Sequence, residues 1–187
     1  MSTVWTVICW CCSVDNCVPL LIQRNTNNGS ALFHRSWAQY KVGFSDSRGN
    51  YWLGNDLLSQ LTMTGRYKLR FDLQSRNNRR WYYAEYSTFI VYPESTNYRL
   101  NVSGYSGNAR GNSFSYHNGM QFTTLDRDND QWSGNCAVTF GGGWWHNNCY
   151  QCCVNCYKDY HVWTGFEWFS LPGGRALQSS RMWLQCK

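Results

Sequence analysis

The sequence predicts an α+β domain in which an antiparallel sheet carries a few short helices and leads into a long irregular lobe. Three observations point there. Tyr67, Leu69, Phe71 and Leu73 alternate with Lys68, Arg70 and Asp72, the period-two signature of a strand with one buried face. Extended runs follow at Ala84 to Tyr92 and Tyr98 to Val102 after short polar turns, and strands joined that closely pair antiparallel rather than parallel. Beyond them, Thr123 to Cys156 shows neither helical nor strand periodicity.

Ahead of the strands, Phe33 to Val42 has the pattern of a short helix. Asn55 or Asp56 is placed to cap another that carries Leu57, Leu58 and Leu61. Both are expected to pack on the sheet. Arg76, Arg79 and Arg80 fall in the polar turn after the first strand and read as a solvated loop rather than a nucleic-acid patch.

A length of 187 residues suits one domain with a proper core. Aromatic residues make up 18% and charged residues only 15%, below the roughly 25% charged usual in soluble domains. That combination describes an aromatic-rich globule with much loop. No run approaches the roughly 18 apolar residues of a spanning helix, so no membrane span is expected. The formal charge of +6 would suit acidic partners, but apart from Arg76, Arg79 and Arg80 the basic residues are scattered and mark no such surface. Ten cysteines are many for a cytosolic protein that does not use them for metal or catalysis. Val4 to Ile8 is too short for a signal-peptide core and has no basic start or cleavage site. The expectation is that Met1 is not the natural start of a secreted protein, or that the sequence is a fragment. The sequons Asn28-Gly29-Ser30 and Asn101-Val102-Ser103 are compatible with secretion.

With no regular pattern in Thr123 to Cys156, something else must hold that stretch, and the candidates are a bound cation and a Cys136 to Cys149 disulfide. Asp126, Asp128 and Asp130 stand at alternate positions. Calcium takes several oxygen ligands, carboxylate and carbonyl, in geometry loose enough for an irregular loop. An EF-hand loop starting at Asp126 would want glycine sixth and glutamate twelfth, where this sequence has Gln131 and Ala137. That template fails. A solvated turn, in which Asp and Asn bond their own backbone, remains the alternative.

Asp126-Arg127-Asp128-Asn129-Asp130 followed by Asn135-Cys136-Ala137, Gly142-Gly143-Trp144-Trp145 and Asn147-Asn148-Cys149 resembles the fibrinogen C-terminal domain family, which includes ficolins and tachylectins. The likeness extends upstream through Trp37-Ala38-Gln39-Tyr40-Lys41-Val42-Gly43-Phe44, Tyr51-Trp52-Leu53-Gly54-Asn55-Asp56, Gly65-Arg66-Tyr67-Lys68-Leu69-Arg70 and Gly104-Tyr105-Ser106-Gly107. It covers nearly the whole sequence except an early insertion and the last dozen residues. The resemblance implies a twisted antiparallel sheet with short flanking helices and a calcium-binding lobe. It also implies a Cys136–Cys149 disulfide, and calcium held by the side chains of Asp128 and Asp130 and the carbonyls of Trp132 and Gly134.

Two departures stand out. The family's continuous Trp-Thr-Val-Ile-Gln-Arg run is split here, with Trp5 to Ile8 parted from Gln23-Arg24 by a Cys-rich insertion at about 9–22 that holds Cys9, Cys11, Cys12 and Cys17. Irregular spacing without a nearby histidine argues against zinc and for a disulfide knot or a loop. The family's upstream part is absent, so the domain is expected to be N-terminally incomplete. Near the other end, Cys149, Cys152, Cys153 and Cys156 form adjoining Cys-x-x-Cys pairs. With Cys149 committed to Cys136 by the resemblance, further disulfides, including one with Cys186, are expected rather than zinc or redox chemistry.

No enzyme is expected. None of the four histidines neighbours a serine or cysteine in a nucleophile context, and Gly104 to Gly107 lacks the Gly-x-Ser-x-Gly spacing. In lectins of the family an acetyl group enters a pocket beside the calcium loop. Its methyl meets aromatic rings and its carbonyl meets N–H groups around the second cysteine, whose preceding peptide is often cis. The matching positions are Asn148, Cys149, Phe140 and Tyr150, though the two rings are not the family's usual choices. The downstream tyrosines are replaced by Val162 and Leu171-Pro172-Gly173-Gly174-Arg175. The expected function is a secreted, calcium-dependent lectin for acetylated glycans or glycoproteins in innate immunity, acting as a homo-oligomer. The competing expectation is a protein-interaction module of fibrinogen or receptor-ligand type without a sugar pocket.

Overall fold

The computed structural model describes residues 18–27, 32–157 and 165–187. Its strands are β1 (Leu20–Asn25), β2 (Phe44–Ser45), β3 (Tyr51–Trp52), β4 (Tyr67–Ser75), β5 (Trp81–Val91), β6 (Leu100–Gly107), β7 (Cys152–Cys153), β8 (Glu167–Trp168) and β9 (Leu177–Cys186). The alternation seen in the sequence is realised in β4, where every second residue from Tyr67 to Ser75 is buried. Seven strands form one antiparallel sheet in the order β2-β3-β1-β9-β4-β5-β6, and β7 pairs with β8 apart from it.

The middle of the sheet is built by the end of the domain. β9 lies between β1 and β4 and pairs with both, Met182 standing opposite Gln23 on one side and Phe71 on the other. The last dozen residues, expected to fall outside the resemblance, are therefore the central strand. Their signal was weak because Leu177, Met182 and Leu184 share the buried face with Ser180, while Trp183 turns to the outer face and donates to Asp72 Oδ2 at 2.9 Å. At the other end, Leu20 to Ile22 close the stretch read as an insertion, yet they form the first half of β1. Cys9, Cys11, Cys12 and Cys17 lie outside the described residues, as does Val162.

The helix at Trp37–Val42 begins with a capping box. Ser36 accepts from the Gln39 N–H while the Gln39 side chain accepts from the Ser36 N–H. It ends at Gly43, whose φ of +91° and approach to Leu53 leave no room for a Cβ, which would lie 2.6 Å from the Leu53 carbonyl oxygen. The second helix runs from Asn55 to Thr62 and buries Leu58 and Leu61. Its expected cap is not made. Gly54 occupies the N-cap, Asn55 is drawn inward to accept from Trp52 Nε1 at 3.0 Å, and Asp56 binds Lys41 and the Tyr98 hydroxyl.

Under the sheet lies an aromatic core. The Phe71 ring meets Phe114 and Trp168 edge-on at 5.0 and 5.1 Å, and Trp145 meets Trp144 and Phe122 at 5.2 Å each. Such pairs contribute about 0.5–1.5 kcal/mol beyond the area they bury. His117 sits among these rings, its Nδ1 2.7 Å from the Trp145 carbonyl and its Nε2 3.4 Å from the Cys152 N–H. Burial pushes its pKa down to about 3 and that of His146 to about 4.

Both histidines are thus neutral in the fold but protonate near their ordinary value of about 6.5 once unfolded. A folded pKa below the unfolded one gives stability that is complete above the unfolded value and is lost as pH falls toward the folded value. Urea denaturation should show stability declining from about pH 6.5 to about pH 4, by up to about 1.4 kcal/mol per pH unit per histidine. His117→Gln should flatten that slope.

Candidate functional site

The lobe beyond β6 is shaped by side chains that bond backbone groups, because few of its residues have ladder partners. Asp126 Oδ1 accepts from the Trp37 N–H and the Thr124 hydroxyl, both at 2.8 Å. Arg127 lies over the Trp37 ring at 4.0 Å. Asn129 donates to the Phe122 carbonyl at 2.8 Å and receives the Asn97 amide. These three residues fasten the acidic loop to the first helix and the core.

Between them, Asp128 Oδ1 accepts from the Asp130 N–H at 3.2 Å. Asp130 accepts from Trp132 and Cys136 N–H groups at 2.9 Å each. Burial raises the pKa of Asp130, the two N–H groups oppose that shift, and the neighbouring Asp128 charge adds to it. Two carboxylates are thus held close at an energetic cost that a cation would relieve. The carbonyls of Trp132 and Gly134 accept no hydrogen bond among the described residues. Two carboxylates with two unengaged carbonyls make an all-oxygen donor set, the kind that suits calcium.

Cys136 is bonded to Cys149, with Cα atoms 5.6 Å apart. Asn135 caps the short helix Cys136–Phe140 by accepting from the Val138 N–H, and it donates to the Thr124 carbonyl. The Asn148–Cys149 peptide bond is cis. Among the other described cysteines, Cys153 is bonded to Cys156, Cys186 is disulfide-bonded, and Cys152 is a buried free thiol whose pKa burial raises. His146 lies near the Cys153 and Cys156 sulfurs, but the disulfide leaves no thiolate there for a metal.

Beside the disulfide opens a cavity of about 330 Å³. Phe140, Asn148, Cys149 and Tyr150, the residues matched to a ligand pocket, all line it, and the Trp132 ring joins them. Phe140 and Tyr150 meet edge-on with centroids 4.9 Å apart. Burial raises the Tyr150 phenol pKa.

Three further wall residues escaped the sequence reading: Glu167, Phe169 and Arg175. Glu167 sits on β8, and its Oε1 is 3.2 Å from Arg175 Nε. The Arg175 guanidinium also lies over the Phe169 ring at 5.1 Å. The one signal for them was the Leu171 to Arg175 stretch standing where the resemblance wants tyrosines.

Comparisons with known proteins agree with this architecture. The profile of the C-terminal globular domain of the fibrinogen beta and gamma chains matches residues 2–187. Angiopoietin-related protein 1 of Mus musculus is 48% identical over 139 residues, covering 74% of this chain and 28% of that protein. Techylectin-5A of Tachypleus tridentatus is 39% identical over 166 residues, 81% of this chain and 56% of that one. The solved lamprey fibrin D-dimer, complexed with the peptide ligand Gly-His-Arg-Pro-amide, superposes with a TM-score of 0.80 at 30% identity, covering 94% of this chain and 63% of that chain. The chain spans little more than a quarter of the first of these relatives. With the sheet, the crosslinked lobe and this match in hand, the chain belongs to the fibrinogen C-terminal domain family.

Proposed function

We propose that this domain is an extracellular, calcium-stabilised recognition module that docks protein partners through the aromatic pocket of its lobe. The observation that carries the reading is the cavity itself, with the rings of Trp132, Phe140, Tyr150 and Phe169 set around one ion pair. Aromatic anchors and a desolvated polar group are what binding hot spots are made of. The disulfides support an oxidising, extracellular setting. The angiopoietin-related likeness and the peptide ligand of the lamprey relative support a protein partner. A single pocket binds weakly, so several copies presented together would supply useful affinity.

Asp128, Asp130, Trp132 and Gly134 would hold the calcium. The ion would neutralise two neighbouring carboxylates and stiffen the turn that carries the Trp132 ring and leads into Cys136. Chelation with EDTA should therefore lower the melting temperature, because a ligand held only by the native state stabilises it. Asp128→Ala should be insensitive to chelator. A wild-type melting curve that EDTA leaves unmoved would remove calcium from the proposal.

A second reading, an acetylated glycan as ligand, is favoured by the Phe140 and Tyr150 rings standing beside the Cys149 backbone and by the likeness to Techylectin-5A. Binding of calcium-loaded multimers to cell surfaces before and after enzymatic removal of glycans separates the two. Binding that survives deglycosylation, and falls with Tyr150→Ala while the domain stays folded, is the expected result. Binding lost on deglycosylation and competed by free N-acetylglucosamine transfers the pocket to the glycan reading.

A further inference from the structure

We propose that the pocket and the arginine-bearing turn beside it form one continuous surface for an acidic peptide segment of the partner, with Arg175 as the charge-selecting residue. This rests on the pocket reading above and adds the partner's chemistry to it. Arg175 uses Nε on Glu167, whose side chain is 7% exposed, while its own side chain is 49% exposed. The carboxylate is thus inside and the cation outside. A guanidinium carries five N–H donors in a planar fork, so its outer edge remains able to grip a carboxylate in two-point fashion. The Phe169 ring beneath it limits its freedom before any ligand arrives.

The surface continues past the pocket rim. The Arg76 N–H donates to the Ala176 carbonyl at 3.0 Å, and the Asn77 side chain donates to the Gly173 carbonyl at 2.7 Å. These bonds lay the β4–β5 turn directly against the loop that carries Arg175. Arg76, Arg79 and Arg80 are exposed there and make no ion pair among the described residues. On the segments that build the surface the one carboxylate is Glu167, which is already paired with Arg175, and no Asp or Glu occurs from Leu73 to Ala84 or from Trp168 to Lys187. One arginine in the cavity wall and three on the turn packed against its loop fit a segment in which an apolar side chain enters the pocket and flanking carboxylates meet the arginines. Charge of this kind steers encounter and fixes the register of the bound segment.

The test uses fluorescence anisotropy of the calcium-loaded domain with two labelled pentapeptides, one with leucine between pairs of glutamates and one with glutamine in place of each glutamate. The acidic peptide should bind about tenfold more tightly near 0.1 M salt, as expected for a charge-assisted bidentate contact. That advantage should fade by about 0.5 M salt, where screening is short-ranged. Arg175→Gln alone takes the guanidinium away from a buried carboxylate and can disturb the wall, so the informative variant is Glu167→Gln with Arg175→Gln, which removes the pair together. It should erase most of the preference while leaving the melting temperature near that of the wild type. Replacing Arg76, Arg79 and Arg80 by Gln should reduce the salt dependence. Equal affinity for both peptides overturns the charge inference and leaves the pocket reading standing, whereas binding indifferent to Tyr150→Ala overturns the pocket reading itself. Retention of a heparin hexasaccharide without any binding of the acidic peptide assigns the arginines to sulfated polysaccharide and also overturns the proposal.

Discussion

Backbone polar groups removed from water must be paired, and in this fold that constraint bears hardest on the lobe, which has almost no ladder of its own. The structure meets it with carboxamides. Gln23 is fully buried on β1 and its Nε2 reaches the Val154 carbonyl, the Asn155 side chain and Ser180 at 2.9 to 3.1 Å. Asn25 donates to the same Val154 carbonyl at 3.0 Å. Asn155 passes the connection on to the Gly143 carbonyl. A buried seam of this kind is costly when half satisfied and specific when complete, so it fixes how the lobe is seated on the sheet. The aromatic core supplies the free energy but would tolerate other seatings.

The pocket inherits its rigidity from that seam. Val154 and Asn155 lie between the sheet and Cys156, whose bond to Cys153 is immediately beside the β7–β8 pair that carries Glu167. Phe169 is tied to the same region by its N–H bond to the Gln151 carbonyl at 3.0 Å. Cys149 and Phe140 are held from the other side by the Cys136 link and the Asn135-capped helix. These walls of the cavity are therefore anchored without a ligand, and a preorganised wall would lose little entropy in the binding proposed for it.

The legible parts of the sequence were those whose information is local. Period-two burial in β4 could be read from spacing, and the first helix was located too, but its start was expected at Phe33 whereas the Ser36 capping box begins it at Trp37. The second helix was placed correctly, but its cap was not, because Trp52 competes for Asn55 and tertiary hydrogen bonding outweighed local propensity. β9 escaped because a polar Ser180 interrupts its buried face, and it is buried there only because Gln23 supplies a partner far away in sequence. The same distance hid half of the pocket. Phe140, Asn148, Cys149 and Tyr150 belong to one contiguous motif, whereas Glu167, Phe169 and Arg175 reach the cavity through the β7–β8 pairing and the Trp168 N–H bond to the Arg175 carbonyl at 2.8 Å.

The placement of β9 also bears on how the protein is made. A ribosome releases β1 and β4 long before β9, so the two strands wait with facing edges unpaired until Leu177–Cys186 emerges. Pairings that join the extremes of a sequence carry a large loop-closure cost and form slowly, and open strand edges in the interval invite association with other polypeptides. Vectorial synthesis therefore cannot complete this sheet piecemeal. Until β9 is made, the edges of β1 and β4 that it will join have no native partner, so that interval is when this sheet is most open to pairing with other polypeptides.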